Sequence, residues 1–250
     1  MKIEWKITKD DVRNVKEFYN KHKSNAFVEC RLKRNIKRNK PPISKDKVWY
    51  CLVSCLLTSQ QRSGPKSNIF KFIRTKPYPL AYKKCLAQRD VQLFSKKTIS
   101  KYQAARFPND KSKYIAANLT ILENGLWSEL LSKLKSIQNR TNPESEREIA
   151  EYIDKNLKGF GPKQSRNFLQ MVGLSRYEIP IDSRITEWLN KFGFPIKLNS
   201  SALGDKNYYN FISSGIMKLC NTCRMYPCLL DAAIFASYDG DAWNKKNACH

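Results

Sequence analysis

The chain predicts an all-α protein. Apolar residues recur at helical spacing through most of its length, few segments alternate with period two, and glycine, proline and N-capping side chains punctuate the periodic stretches. A chain of 250 residues with no internal repeat and no low-complexity tract makes one large domain or two small ones.

The first 46 residues are basic and weakly periodic, and are read as an N-terminal extension. Their run from Arg31 to Arg38, ahead of Pro41-Pro42, has the composition of a nucleic-acid arm, a localisation signal or a solvated segment. From Val48 to Thr58 the chain is apolar nearly all round, which describes a buried helix, with Cys51 and Cys55 as core residues. The polar run Ser59 to Pro65 stops it, and a short helix over Lys66–Arg74 follows before Pro77 and Pro79 break the pattern. Residues 110–124 carry a helical stripe of Tyr114, Ile115, Leu119 and Leu122, with Gly125 as a C-terminal stop. Trp127–Ile137 places Leu130, Leu131 and Leu134 on one face, and 145–156 places Ile149, Tyr152 and Ile153 inward. A helix over 162–172 begins at Pro162, a residue suited to the first helical position. Asp182 is an N-cap for a helix over 183–191, ended by Gly193. Residues 207–219 and 227–238 complete the set.

Charge narrows the function. The sequence holds 46 basic and 22 acidic side chains, a formal net charge of +24 and a pI of about 9.8. Such a surface attracts polyanions through steering and counterion release, nucleic acid first and a membrane surface second. No run of eighteen apolar residues spans a bilayer, and the N-terminus lacks a signal-peptide core. An intracellular protein is expected, in the cytoplasm or nucleoid, or the nucleus of a eukaryote. Its eight cysteines are then expected as reduced thiols. Cys220, Cys223 and Cys228, with Cys249 or His250, have spacing that a zinc knuckle could use, but buried thiols without metal are the expected state.

The chemistry concentrates in Leu157-Lys-Gly-Phe-Gly-Pro-Lys163 and, nineteen residues after Lys163, in Ile181-Asp182-Ser-Arg184. Gly159 and Gly161 permit a tight turn with positive φ and close backbone approach. Phe160 anchors the turn inward. The turn feeds a helix whose first N–H groups lack internal partners, an anion site. The plainer alternative is an ordinary corner between helices, with Asp182 only a cap. A lysine and a carboxylate at two successive helix starts favour a catalytic pair.

The segment LKGFGPKQSRNFLQMVG followed by IPIDSRI resembles the helix-hairpin-helix (HhH-GPD) DNA glycosylase superfamily. Leu57-Thr-Ser-Gln60-Gln61 resembles the loop from which that family inserts a side chain into the duplex. Arg106 to Ile115 and Leu230 to Gly240 resemble its 8-oxoguanine branch, and the whole likeness spans roughly residues 47 to 245, closest to compact archaeal-type members. The resemblance implies a two-lobed helical fold with the active-site cleft between a lobe of about 47–140 and a hairpin-containing lobe of about 141–250. It implies a monomeric repair enzyme acting on damaged double-stranded DNA, a bifunctional 8-oxoguanine glycosylase and AP lyase with no cofactor. The same chemistry on another damaged base, or a DNA-binding module without chemistry, are the other readings. Cys220, Cys223, Cys228 and Cys249 do not match the spacing of the iron–sulfur members, which argues against that branch.

By this resemblance Lys163 is the nucleophile and Asp182 the ionised carboxylate that steadies the oxocarbenium-like sugar. An ordinary lysine is neutral in only about one molecule in a thousand near pH 7.4, and desolvation is the largest effect available to change that. Lys163 is therefore expected to be substantially buried in the free protein, with Lys158 assisting if it points the same way. Gln60 is expected to fill the vacated stack, with Gln61 and Arg62 next. Gly159, Phe160, Gly161 and Arg184 are expected DNA contacts, Lys218 is either a phosphate ligand or a generic surface cation, and Phe235 and Trp243 are either stacking partners for the extruded base or core packing of the last helix. In the compact branch the extreme C-terminus, often a lysine, helps read the damaged base, whereas the sequence here ends Trp243 to His250.

Overall fold

A computed structural model describes residues 4–38, 40–238 and 243–249, and among these only helices, turns and loops form. The helices are α1 (Lys9–His22), α2 (Ala26–Arg31), α3 (Lys45–Thr58), α4 (Asn68–Arg74), α5 (Tyr82–Leu86), α6 (Val91–Lys101) and α7 (Pro108–Ile121). They continue with α8 (Trp127–Ser136), α9 (Pro143–Asn156), α10 (Pro162–Val172), α11 (Ser183–Phe192), α12 (Lys206–Thr222) and α13 (Pro227–Tyr238). All nine expected helices form, most within a few residues of their expected bounds. Four others, α1, α2, α5 and α6, were not expected. Of these, α1 does carry a helical stripe, Val12, Val15, Phe18 and Tyr19, whereas α2 and α5 are only six and five residues long and α6 completely buries only Ser95 and Ile99.

Two apolar cores organise the chain. The first gathers α3 to α10, with Trp49, Leu52, Leu56, Ile115, Leu130, Phe168 and Leu169 fully buried. The second gathers α1 and α11 to α13, around Ile181, Tyr209, Ile212 and Leu230. The cores therefore divide between Leu174 and Ile179 rather than near residue 140. The hairpin helices α9 and α10 pack with the first core, and α10 rests on both α9 and α3.

Residues 1–46 are more than an extension. A Thr8–Asp11 capping box starts α1, whose Val12, Val15, Phe18 and Tyr19 pack on the second core. The Arg31–Arg38 stretch is not a solvated arm: Arg31 and Asn35 are buried, on α2 and the π-helical turn Leu32–Lys37.

The two cores are joined by buried ions. Glu178 is fully buried and accepts from Arg166 Nε at 2.6 Å, Arg147 Nε at 2.9 Å and Ser213 Oγ at 3.2 Å. Removing one partner of such a group leaves the others uncompensated, at about 3–5 kcal/mol. Glu178→Ala is accordingly expected to lose that much stability, read as a lower denaturant midpoint. A midpoint unchanged from wild type would show that the network carries no such load.

Candidate active site

The hairpin is fixed by one glycine and one asparagine. Gly159 has φ +77°, and an added Cβ would meet the Tyr114 ring at 2.6 Å and Leu56 at 2.9 Å, so the position tolerates no side chain. Gly161 is different: its φ of −134° is extended and the space beyond its Cα is open, so conformation does not require glycine there. Asn118, fully buried on α7, accepts from Lys158 N at 2.7 Å and donates to Lys158 O at 2.9 Å. Phe160 is buried and meets Phe168 edge-on at 6.2 Å. It anchors the turn, and burial keeps it from direct contact with DNA. Pro162 opens α10, and Gly173, at φ +95°, closes it with a Leu174 N–H to Leu169 carbonyl bond of 2.9 Å.

The segment leading to Asp182 is held as firmly. The Glu146 carboxylate, fully buried, takes the backbone N–H groups of Arg176, Tyr177 and Glu178, each at 2.8 Å. The Tyr209 hydroxyl accepts from Ile181 N at 2.7 Å and donates to Ile179 O at 2.8 Å. Asp182 then divides its oxygens. Oδ1 caps α11 through Arg184 N and Ile185 N at 3.0 and 3.3 Å. Oδ2 faces two cations, Arg184 Nη2 at 2.7 Å and Lys163 Nζ at 3.6 Å. Lys163 and Asp182 thus meet, across the junction of the two cores, on the wall of a cleft of about 700 Å³. Burial works to raise the Asp182 pKa, but the charges of Lys163 and Arg184 and the hydrogen bonds from Arg184 and Ile185 outweigh it and hold the carboxyl below its ordinary range.

A family model described as 8-oxoguanine DNA glycosylase matches residues 29–225. The chain belongs to this family. The 8-oxoguanine DNA glycosylase/AP lyase of Sulfolobus acidocaldarius is 26% identical over 191 residues, covering 76% of this chain and 81% of the relative. That of Thermoplasma volcanium is 31% identical over 131 residues, covering 52% and 55%. Among solved structures, the 8-oxoguanine DNA glycosylase of Methanocaldococcus jannaschii superposes with a TM-score of 0.67 at 18% identity, covering 94% of this chain and 98% of that one. The same organism's glycosylase/lyase in complex with a 15mer DNA containing 8-oxoguanine gives 0.65 at 16% identity, covering 93% and 99%. These superpositions establish the family's helical fold for this chain.

Other expected site residues of the family member fall into place unevenly. Gln60, Gln61, Arg62, Arg184, Phe235 and Trp243 all line the cleft that holds Lys163. Gln60 is exposed in a left-handed conformation, φ +61°, and its side chain heads the loop. Gln61 is spent on structure instead: Nε2 donates to Leu57 O at 2.7 Å and Ala104 O at 3.1 Å, and Oε1 accepts from Arg106 N at 3.0 Å. It cannot enter a duplex without releasing the 103–106 loop. Arg184 is committed to Asp182 and lies 4.4 Å above the Phe235 ring, so it serves the carboxylate rather than standing free for a phosphate. Lys158 and Lys218 are exposed and lie outside the cleft lining.

Lys163 itself departs from expectation. Its side chain is 41% exposed, so the free protein does not bury it. The cleft is open above the amine, and only an occupant could exclude water there.

Residues remote from the hairpin complete the cleft. Phe27 stacks on Phe235 at 4.4 Å, and Trp243 lies 4.9 Å from Phe27 and 6.1 Å from Phe70. Asp231 accepts from Arg31 Nη1 at 2.7 Å and Gln170 Nε2 at 2.8 Å. No local pattern marks Phe27, Arg31 or Gln170. Each is an ordinary helix residue until tertiary contacts bring it to the cleft.

The cysteine reading needs one correction. Cys30 and Cys249 form a disulfide, with Cα atoms 5.5 Å apart, so Cys249 is neither a free thiol nor available as a metal ligand. Cys51, Cys55, Cys85, Cys220, Cys223 and Cys228 are free and buried. Local spacing could not reveal that the C-terminal segment returns to α2, where Arg74 also holds the carbonyls of Lys246 and Asn247 at 2.8 and 3.1 Å. Reduction, or Cys249→Ser, is expected to cost about 2–4 kcal/mol of stability. Identical melting temperatures with and without reductant would refute that expectation.

Proposed function

We propose that this chain excises 8-oxoguanine from damaged double-stranded DNA and then cuts the strand at the abasic site, as a bifunctional DNA glycosylase and AP lyase. One observation carries the reading: the Lys163 amine lies 3.6 Å from an ionised carboxylate on the wall of an open cleft, in a chain of net charge +24. The names of the archaeal relatives support it.

The net charge grips the phosphates, and the damaged nucleotide is extruded at a cost of a few kcal/mol. The hairpin's Gly159 to Gly161 and the first N–H groups of α10 receive a phosphate, while Gln60 and Arg62 occupy the space left in the stack. Lys163 Nζ, as the free amine, attacks C1′ and the bond to the base breaks, the base leaving with its bonding electrons and gaining a proton. Asp182 Oδ2 stabilises the positive charge that develops on the sugar. The nitrogen lone pair then opens the C1′–O4′ bond, O4′ taking up a proton, and the protonated imine so formed acidifies the C2′ proton, whose loss expels the 3′ phosphate by breaking the C3′–O bond. Water then releases the lysine. The enzyme works as a monomer inside the cell and needs no cofactor. Among the described residues no helix is long and apolar enough to cross a membrane.

A panel of duplexes, each with one damaged base, tests the reading. Release of 8-oxoguanine followed by 3′-side cleavage is expected. Cleavage of abasic DNA with release of some other base would move the assignment to a different lesion, and binding with neither step would leave a DNA-binding module.

A further inference from the structure

Arg34 lies on the π-helical turn Leu32–Lys37 and lines the same cleft as Lys163. The turn is fastened from beneath. Asn35, 1% exposed, donates from Nδ2 to the carbonyls of Gln170 and Ser175, both at 3.0 Å, and its own carbonyl accepts from Arg176 Nε at 3.2 Å. Gly173 lies close against Arg34: a Cβ added there would come within 3.2 Å of the Arg34 carbonyl and 3.4 Å of its Cγ. The side chain is thus presented from a rigid platform, as a recognition group must be.

Its guanidinium is short of partners. Nε donates to Asn35 Oδ1 at 3.2 Å, and this is the one hydrogen bond its side chain makes with the described residues, with no carboxylate in salt-bridge range. The adjacent cation differs: Arg31 is paired with Asp231 at 2.7 Å. The groups facing Arg34 are Arg31 and the thiols of Cys51, Cys55 and Cys228, which burial keeps protonated. Burial and the like charge of Arg31 lower the Arg34 pKa to about 10, which leaves it charged at neutral pH. A half-buried cation with spare donors is costly unless something supplies acceptors.

An extruded nucleotide can supply them. Phosphates run along the outside of the duplex, whereas Arg34 is half-buried in the lining of the cleft that holds Lys163, held against Asn35 and Gly173. A base flipped into that cleft can reach it. A guanidinium fork ordinarily pairs with O6 and N7 of guanine. In 8-oxoguanine N7 carries a proton, so the acceptors that remain along that edge are the exocyclic oxygens. We propose that Arg34 is a specificity-determining residue that donates its spare N–H groups to an exocyclic carbonyl oxygen of the extruded purine. The proposal rests on the glycosylase reading above and goes further by naming what the base pocket recognises.

Abasic DNA separates base contact from every other role, because it has the sugar and phosphates but no base. Arg34→Met and Arg34→Lys are compared with wild type in single-turnover release of 8-oxoguanine, and in borohydride trapping on an abasic duplex. Arg34→Met is expected to slow release by ~10- to 100-fold, the scale of a hydrogen bond from a charged group. Trapping should stay within about twofold, which also shows that the variant is folded, and lysine should restore part of the release. Equal losses in both assays would overturn the proposal in favour of a phosphate contact or a structural role, and unchanged release would overturn it outright. If wild type traps abasic DNA but releases a different base, the substrate assignment fails separately. Arg34 then keeps its role only if that base has an exocyclic oxygen and Arg34→Met slows its release. If wild type releases no base at all, both fall.

Discussion

Lys163→Gln is expected to abolish borohydride trapping and 3′-side cleavage of abasic DNA, lowering turnover by ~10⁴-fold or more, the scale on which loss of a covalent nucleophile acts elsewhere. Glutamine is close to lysine in length but its amide nitrogen cannot form an imine. The side chain is 41% exposed and, among the described residues, pairs with Asp182 alone, so the fold does not depend on it. Duplex affinity should stay near the wild-type value, because a single charge among the many that make up +24 is a small part of the grip. A variant that still traps would place the nucleophile elsewhere. One that loses DNA binding in proportion would reduce Lys163 to a phosphate ligand.

Asp182→Asn is the second large effect. The amide keeps an oxygen that can cap α11 in place of Oδ1, but it removes the negative charge that Oδ2 offers to the sugar, to Lys163 and to Arg184. Base release should fall by ~10²–10³-fold, the usual range for losing one preorganised electrostatic partner of a transition state. DNA affinity should hold or rise, since a negative charge leaves the cleft. The pH dependence has a defined sign. A carboxyl whose folded pKa is depressed contributes stability that is fully present above its ordinary value near 4 and is lost as pH falls through the folded value. The stability advantage of wild type over Asp182→Asn should therefore persist at pH 5–7 and shrink only below about pH 4. An advantage that vanished between pH 5 and 7 would mean that burial, not the two cations, governs this group.

How legible the molecule was in its sequence depends on where each contact lies along the chain. The hairpin was readable because its determinants are local: Gly159 at the turn, Pro162 at the helix start, Asp182 as a cap. The long helices were readable because each buries a continuous face. By contrast α2 is only six residues long, and the places of α1 and α2 follow from partners some two hundred positions away: Val15 sits in the second core and Val28 packs with Ala232 and Ala233. The Cys30–Cys249 bond joins residues 219 positions apart, and no spacing rule reaches that far. Gln61 stood next after Gln60 as an insertable side chain because sequence does not show that its amide is spent on Leu57, Ala104 and Arg106.

The need for an uncharged amine suggested a buried lysine, but the free protein leaves the side chain facing an open cleft. The expectation is then that an extruded nucleotide closing over the amine excludes water, while the protein's part is to place Nζ beside Asp182.

Reducing the complex with abasic-site DNA by borohydride, then digesting it and mapping the modified peptide by mass spectrometry, tests the central claim most directly. The deoxyribose remnant should be found on the ε-nitrogen of Lys163. A remnant on Lys158, on the N-terminal amine or on any other group, or no adduct under conditions where the duplex is bound, would contradict it.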